Sequence, residues 1–346
     1  MKRLILLFII SFISVSCGGG KTTKAGYSGE DVSAKAVITR DKATKTATVE
    51  VLYPGEWELY GGPSVAAIDF GKPMISGKSA GVFRPDVPTG TRTYFQFARK
   101  DSEGVLAETH LPMIGGYNFR DLGGIRAIDG RYVKWGTVIR SDDLAHLTDA
   151  DLEYLSSVPL ASIVDFRSES EAQAAPDRVP ASVKNTYALS ITPGNLNSAE
   201  QVLGFDARQM DSVMMDMNRM FVSDSACVAR YREFFGLLQE GTKIPLLFHC
   251  SAGKDRAGMG AALFLYSLGI DEDVIVGNYL ESNRYLADKY TDIVGKYPQL
   301  EPLFTVRKEY LEAGLEVIKR DYVTVENYLE RVLGVDLDKM KELYLF

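Results

Sequence analysis

The chain has 346 residues, enough for two domains, with 46% apolar and 25% charged residues, ordinary values for a globular protein. Its net charge of −7, with no basic cluster interleaved with aromatics, argues against nucleic acid as a partner. Three cysteines cannot build a disulfide framework, and His110, His146 and His249 lie too far apart in sequence for paired metal-ligand spacing.

At the amino terminus, Lys2 and Arg3 precede the apolar run Leu4 to Ile10, too short for a membrane span and typical of an export signal over residues 1–16. Loss of Lys2 and Arg3 with that leader takes the net charge from −7 to −9. Ser16-Cys17 followed by Gly18, Gly19 and Gly20 resembles the lipobox of bacterial lipoproteins, which implies lipidation of Cys17 and a polar tether over 17–30. The implied location is the bacterial cell envelope, held through the lipid anchor alone, with the outer membrane preferred to the inner. Cleavage to a free secreted protein is the alternative.

From about Asp31 to Pro112 the pattern is strand-like. TATVEVLY (46–53) and RTYFQFA (92–98) alternate with period two, and Pro-Gly and Gly-Gly-Pro turns interrupt the chain. Short strands at this spacing predict a small all-β sandwich of immunoglobulin-like type over 31–112, with Trp57 and Tyr94 as core aromatics.

After Pro112, short apolar strands alternate with helical segments: TVIRS (137–141), SIVDF (162–166), YALSI (187–191) and IPLLF (244–248). Such alternation predicts an α/β domain over 113–346, with a mostly parallel central sheet flanked by helices. Thr148 and Asp151 have the spacing of a capping box. Residues 210–220, MDSVMMDMNRM, hold five of the ten methionines and fit either a repacking lid or a core helix. Near the end, Leu311, Leu315, Ile318 and Tyr322 share one helical face, as do Val325, Tyr328, Leu329 and Val332.

The segment FHCSAGKDRAGMG (248–260) carries the chemistry. Cleaving a phosphate monoester without a metal requires an ionised nucleophile, donors for three phosphate oxygens and an acid for the leaving group. A free thiol titrates near 8.5, and a helix N-terminus with a nearby cation can bring it to ~3.5–7.5. The loop feeds directly into the apolar run 257–268, so its N–H groups can face a thiolate or a phosphate at the positive end of a helix. Arg256, six residues after Cys250, can hold two phosphate oxygens in its planar fork, and Gly253 supplies freedom in mid-loop.

HCSAGKDR resembles the HC-x5-R loop of cysteine-dependent phosphatases of the tyrosine-phosphatase superfamily. Its GKDR form is similar to the branch of secreted bacterial tyrosine- and triple-specificity phosphatases. YNFRDLGG (117–124), IRSDDLAHLT (139–148), VDFR (164–167), YLESN (279–283) and VRKEYLEAGLEVI (306–318) extend the resemblance over about 113–346. It implies Cys250 as a nucleophile forming a phosphocysteine and Arg256 as the phosphate and transition-state ligand. The phosphate then lies in the loop Ser251, Ala252, Gly253, Lys254, Asp255 and Arg256, with no metal and no cofactor. His249 is expected to orient the loop, and Lys254 to meet a second phosphate. Asp255 is the candidate general acid, with Asp142 and Asp143 behind it. Arg120, Asp121, Asp165 and Arg167 are expected to form buried pairs that brace the loop. Ala257 stands where most relatives carry threonine or serine. Cys227, the other thiol left once Cys17 is lipidated, is a candidate partner for a reversible disulfide with Cys250.

The implied substrate is phosphotyrosine on a protein. A phosphoinositide or inositol phosphate is an alternative, and a phosphate-binding pseudoenzyme with a recognition module over 31–112 is a second.

Overall fold

The computed structural model describes residues 23–192 and 204–346. The export signal, Cys17 and the stretch 193–203 lie outside the described residues.

The amino-terminal region is built from β1 (Ser28–Gly29), β2 (Ala36–Arg40), β3 (Ala47–Val51), β4 (Trp57–Gly62), β5 (Ile75–Gly77), β6 (Gly81–Phe83), β7 (Tyr94–Arg99) and β8 (Ser102–Leu106). They form two antiparallel sheets, β1-β8-β7-β4-β5 and β2-β3-β6. Alternate residues explain the pairing. Ile38, Val49 and Val51 of one sheet meet Trp57, Leu59, Phe95 and Phe97 of the other in one buried cluster. Trp57 and Tyr94 are buried, as their size requires.

β7 departs from the expected alternation, since five of its six residues are buried. The reason is tertiary: Tyr94, Ala98 and Val105, on the second face of this sheet, pack with Trp135 from the following region. The tether is also shorter than its polar composition implied. Gly26 donates to the Gln96 side chain at 3.0 Å, and the Tyr27 ring stacks on Tyr132 at 3.9 Å. One aromatic, placed opposite another, ties residues 26–29 to the body of the protein.

The second region carries β9 (Arg120–Asp121), β10 (Val138–Ser141), β11 (Ser162–Asp165), β12 (Asn185–Ala188) and β13 (Leu246–His249). The strand order is β12-β11-β13-β10-β9. β10, β11, β12 and β13 pair in parallel, and β9 closes one edge antiparallel. β12 begins two residues before the apolar YALSI run and has only half-buried and exposed positions, because it is an edge. α1 (Asp149–Ser156) covers one face, where Ile139, Ile163 and Leu247 meet Tyr154 and Leu155. The Thr148–Asp151 capping box is formed.

The other face carries the larger core. There Val138, Val164, Phe166, Leu246 and Phe248 meet α3 (Ala207–Ser223), α4 (Ser225–Leu238), α5 (Arg256–Ser267) and α8 (Lys308–Tyr322). α2 (Glu169–Ala174), α6 (Glu272–Lys296), α7 (Glu301–Phe304), α9 (Val325–Arg331) and α10 (Leu337–Tyr344) complete the described helices. The methionine-rich α3 is a core helix. Met210, Met214, Met217 and Phe221 form its buried stripe, at the spacing of one helical face.

Buried charge joins the two regions. Arg92 Nη1 lies 2.6 Å from Asp121 Oδ2 and Arg92 Nε lies 3.3 Å from Glu108. Lys45 Nζ lies 2.7 Å from Asp151 Oδ1. Asp151 also accepts from the backbone of Ile114, Gly115 and Thr148. Burial opposes its ionisation, but the Lys45 ammonium and those three N–H groups outweigh it and hold its pKa at about 2. A depressed pKa contributes stability that is present above the unfolded value and is lost as pH falls through the folded one. Asp151 should therefore supply about 2 kcal/mol near neutrality that disappears between roughly pH 4 and 2. Asp151→Asn strands Lys45 without its charge partner and should cost roughly 3–5 kcal/mol at pH 7, measured by urea unfolding. A loss below about 1 kcal/mol would show that the pair is no better than an exposed one.

Candidate active site

Cys250 sits at the carboxyl end of β13, where the chain turns through Ser251–Asp255 into α5. Gly253 adopts φ +68°, and a Cβ there would stand 2.4 Å from the Ser141 carbonyl oxygen. Only glycine lets the turn close against β10. The closure carries the Gly253 N–H to the buried Cys250 Sγ, 3.2 Å away. Arg256 opens α5 and is turned back across the loop, with Nη2 3.3 Å from Ser251 Oγ. The turn thus places thiol, guanidinium and a helix N-terminus around one point, an arrangement suited to an anion.

The segments of the second region converge on this loop. Asn118 Nδ2 donates to the Ala252 carbonyl at 3.0 Å, and Arg140 Nη2 to the Gly253 carbonyl at 2.6 Å. A Cβ on Gly258 would stand 2.8 Å from the Tyr279 ring, so this glycine lets α5 approach α6. Asn283 brackets Val306 through both its N–H and its carbonyl.

The supporting residues divide. His249 is fully buried, with Nε2 3.2 Å from Asp177 Oδ2 but off the line of a good hydrogen bond. Arg167 and Asp165 form the expected pair, and the same guanidinium reaches Asp177 at 2.8 Å. Asp165, Asp177 and His249 could together reach one ion, yet Arg167 already stands between the two carboxylates.

Of the other two residues expected in buried pairs, Asp121 forms one and Arg120 does not. They are neighbours on a strand and so project to opposite faces. Asp121 turns to Arg92 and to the Gly136 N–H at 2.7 Å. Arg120 turns to α6, donating to Asn278 O and Ser282 Oγ at 2.6 and 2.9 Å. Fully buried, Arg120 is lowered to about 10 by desolvation. Arg140, also fully buried, lies well below its ordinary value, through burial first and the charge of Arg120 second. Among the described residues neither makes an ion pair; Arg140 holds the Cys250 loop at the Gly253 carbonyl, and Arg120 holds Ser282 of α6.

Lys254 and Asp255 face each other at 2.7 Å, and Lys254 also donates to the Thr305 carbonyl at 3.2 Å. Lys254 is 3% exposed, so in this arrangement its ammonium is not presented to a substrate's second phosphate. Asp142, a reserve candidate for the acid, is consumed by the Tyr117 and Asn118 N–H groups and by Lys289 at 2.9 Å. Asp255 has both oxygens on Lys254, at 2.9 and 2.7 Å, and the half-buried Asp143 lies 3.4 Å from Lys289, so each candidate for the acid is ion-paired in this arrangement. Cys227 and Cys250 are both free thiols. Burial, with Asp224 beside it, pushes Cys227 up to about 12, which makes it a poor partner for thiol exchange. Ala257 is wholly buried.

Asp177 escaped the sequence reading, and so did two residues closer to the loop. Glu171, on α2, grips Arg256 with both oxygens at 2.7 Å and accepts from Ser251 Oγ at 2.5 Å. Burial resists its ionisation, but the Arg256 contact holds its pKa far below the usual carboxylate range. Its spacing from Ser168 marks a capping box, which is formed, but nothing local points to Arg256. Lys289, on α6, reaches the Ser251 carbonyl at 3.3 Å as well as Asp142. Lys289 is 39 positions from Cys250, and no spacing in the sequence announces the contact.

The sequence profile of the tyrosine phosphatase family matches residues 111–345, which includes every segment that meets at this loop. The chain belongs to the tyrosine phosphatase family. It is a phosphoric monoester hydrolase, and its substrate is a phosphorylated molecule. A Cupriavidus necator protein named for tyrosine-protein phosphatase activity is 36% identical over 244 residues, 66% of this chain and 85% of that one. The triple specificity protein phosphatase PtpB of Mycobacterium tuberculosis is 27% identical over 65% of this chain and 93% of its own. A tyrosine-protein phosphatase of Nostoc commune is 28% identical over 44% of this chain and 51% of its own. The family profile starts after the amino-terminal sheets.

Proposed function

We propose that the protein hydrolyses phosphotyrosine on proteins, without a metal, through a phosphocysteine at Cys250. The observation that carries this reading is the single turn in which a buried Cys250 sulfur, the Gly253 N–H and the Arg256 guanidinium share one point. The Cys250 thiolate attacks phosphorus, an S–P bond forms and the P–O bond to the tyrosine breaks. Asp255, once released from Lys254, donates the proton to the departing phenoxide. Water then attacks phosphorus and gives its proton to the Asp255 carboxylate, the S–P bond breaks with its electron pair returning to the Cys250 sulfur, and inorganic phosphate leaves. Loop N–H groups and Arg256 bind the phosphoryl oxygens in both steps, while Arg140 braces the loop at the Gly253 carbonyl. A phosphate uses the Arg256 fork by sharing it with Glu171 or displacing it.

The test is a substrate panel on protein lacking residues 1–20: para-nitrophenyl phosphate, phosphotyrosine and phosphoserine peptides, and inositol phosphates, with vanadate as competitor. Turnover confined to inositol phosphates would overturn the phosphotyrosine reading. We further propose that the amino-terminal region, of immunoglobulin-like type, is held at the envelope by lipid on Cys17. Cys17→Ala should then move the protein out of the membrane fraction. Extraction of the wild-type protein without detergent would contradict the anchor.

A further inference from the structure

The amino-terminal region does more than precede the phosphatase. Its β2–β3 turn, residues 41–46, projects onto the segment 112–118, which touches the Cys250 loop through Asn118. Two lysines make the contact. Lys45 is held in the left-handed region at φ +58° and donates to the Pro112 carbonyl and to Asp151. Asp151 in turn holds the N–H groups of Ile114 and Gly115. Asp41 fixes the turn from within, accepting from Ala43 and Thr44.

Lys42 donates to the Gly116 carbonyl at 2.8 Å and sits 4.5 Å from the centroid of the Tyr117 ring. Lys289 lies 5.5 Å from the centroid of that ring and also reaches the Ser251 carbonyl of the catalytic loop. Tyr117 is therefore a half-buried aromatic wall at the rim of the site, with a cation from each region beside it.

The two cations are not equivalent. Lys289 is neutralised by Asp142 and Asp143. The acids nearest Lys42 are Asp142, Asp151 and Asp288, of which the first two are engaged by Lys289 and Lys45. Among the described residues Lys42 makes no ion pair, and Asp288 is an exposed competitor. Partial burial already works against its charge.

We infer that Lys42 is a specificity-determining residue contributed by the amino-terminal region, receiving an acidic side chain one or two positions from the phosphotyrosine. The inference rests on the phosphotyrosine reading above. Lys289 links the Ser251 carbonyl to the Tyr117 ring, and Lys42 lies on that same ring. With consecutive Cα atoms about 3.8 Å apart, a residue one or two positions from a seated phosphotyrosine is within reach of this rim. The same placement gives this region a role in the reaction that no motif of the family match contains.

The experiment compares kcat/KM on matched phosphotyrosine peptides bearing Glu or Gln at the flanking positions. The wild type should favour Glu by about fivefold, the scale of a partly exposed ion pair, and lose the preference as ionic strength rises. Lys42→Met should bring the ratio near one and Lys42→Arg should keep it. A general loss of fold would depress both peptides alike and leave the ratio standing. A wild-type enzyme indifferent to flanking charge, or a Lys42→Met variant that retains the preference, would overturn the inference while the phosphotyrosine reading stands. An enzyme that turns over inositol phosphates and no phosphopeptide would instead overturn that reading, and this assignment with it.

Discussion

Cys250→Ser should fold normally and lose turnover by at least ~100-fold. The exchange of sulfur for oxygen changes little in volume at a site that is 2% exposed, so the core around it is kept. Its chemistry changes far more. A serine hydroxyl stays protonated near neutrality and needs an adjacent base, and His249, the nearest imidazole, is turned towards Asp177. Arg256→Lys should fail as severely, because an ammonium cannot reproduce a planar fork that spans Glu171 and Ser251 together. Thermal unfolding separates loss of fold from loss of chemistry. Residual activity above about a tenth of wild type in either variant would sink the assignment of Cys250 and Arg256 as nucleophile and phosphate ligand.

Replacing Ala257 should speed the enzyme. On the mechanism proposed above, a hydroxyl at this position can donate to the Cys250 sulfur as it leaves phosphocysteine. Losing one such anion-stabilising donor costs about 2–4 kcal/mol at that step. The Gly253 N–H supplies one donor already, so the thiolate is not unsupported. The native enzyme should show a burst of released alcohol followed by slow turnover limited by hydrolysis of the intermediate. Complete burial of Ala257 favours Ala257→Ser over Ala257→Thr, since a single added oxygen is easier to fit into a packed site. The serine variant should raise the steady-state rate tenfold or more and leave the burst nearly unchanged. Absence of a burst in the native enzyme, or a serine variant no faster, would show that another step limits it.

Much of this was legible in the chain because it is local. A capping box is a three-residue spacing, and Thr148 and Asp151 form one. The catalytic turn is contiguous, so the strand before Cys250, the positive φ at Gly253 and the helix opening at Arg256 follow from adjacent residues. Helical periodicity placed Leu311, Leu315 and Ile318 in the core for the same reason. It left the methionines of α3 undecided, because a repeating apolar face does not say whether another element covers it.

The tertiary structure decided whatever depends on distant partners. Arg120 and Asp121 are adjacent letters whose side chains leave a strand on opposite faces, so each found its partner elsewhere, in α6 and at Arg92. Glu171 reached Arg256 across 85 positions, and Lys289 reached the Ser251 carbonyl across 38. Lys254 lost its expected place at the substrate because Asp255 and the Thr305 carbonyl satisfy its ammonium. Lys42 gained a place at the rim because a β-turn outside the family match packs on Tyr117. Sequence by itself determined the turn that brings Cys250, Gly253 and Arg256 together, since that turn is continuous chain. Only the fold decided which charges surround them, because buried ion pairs and hydrogen bonds are chosen by proximity in space, where strand alternation and helix packing bring remote residues together.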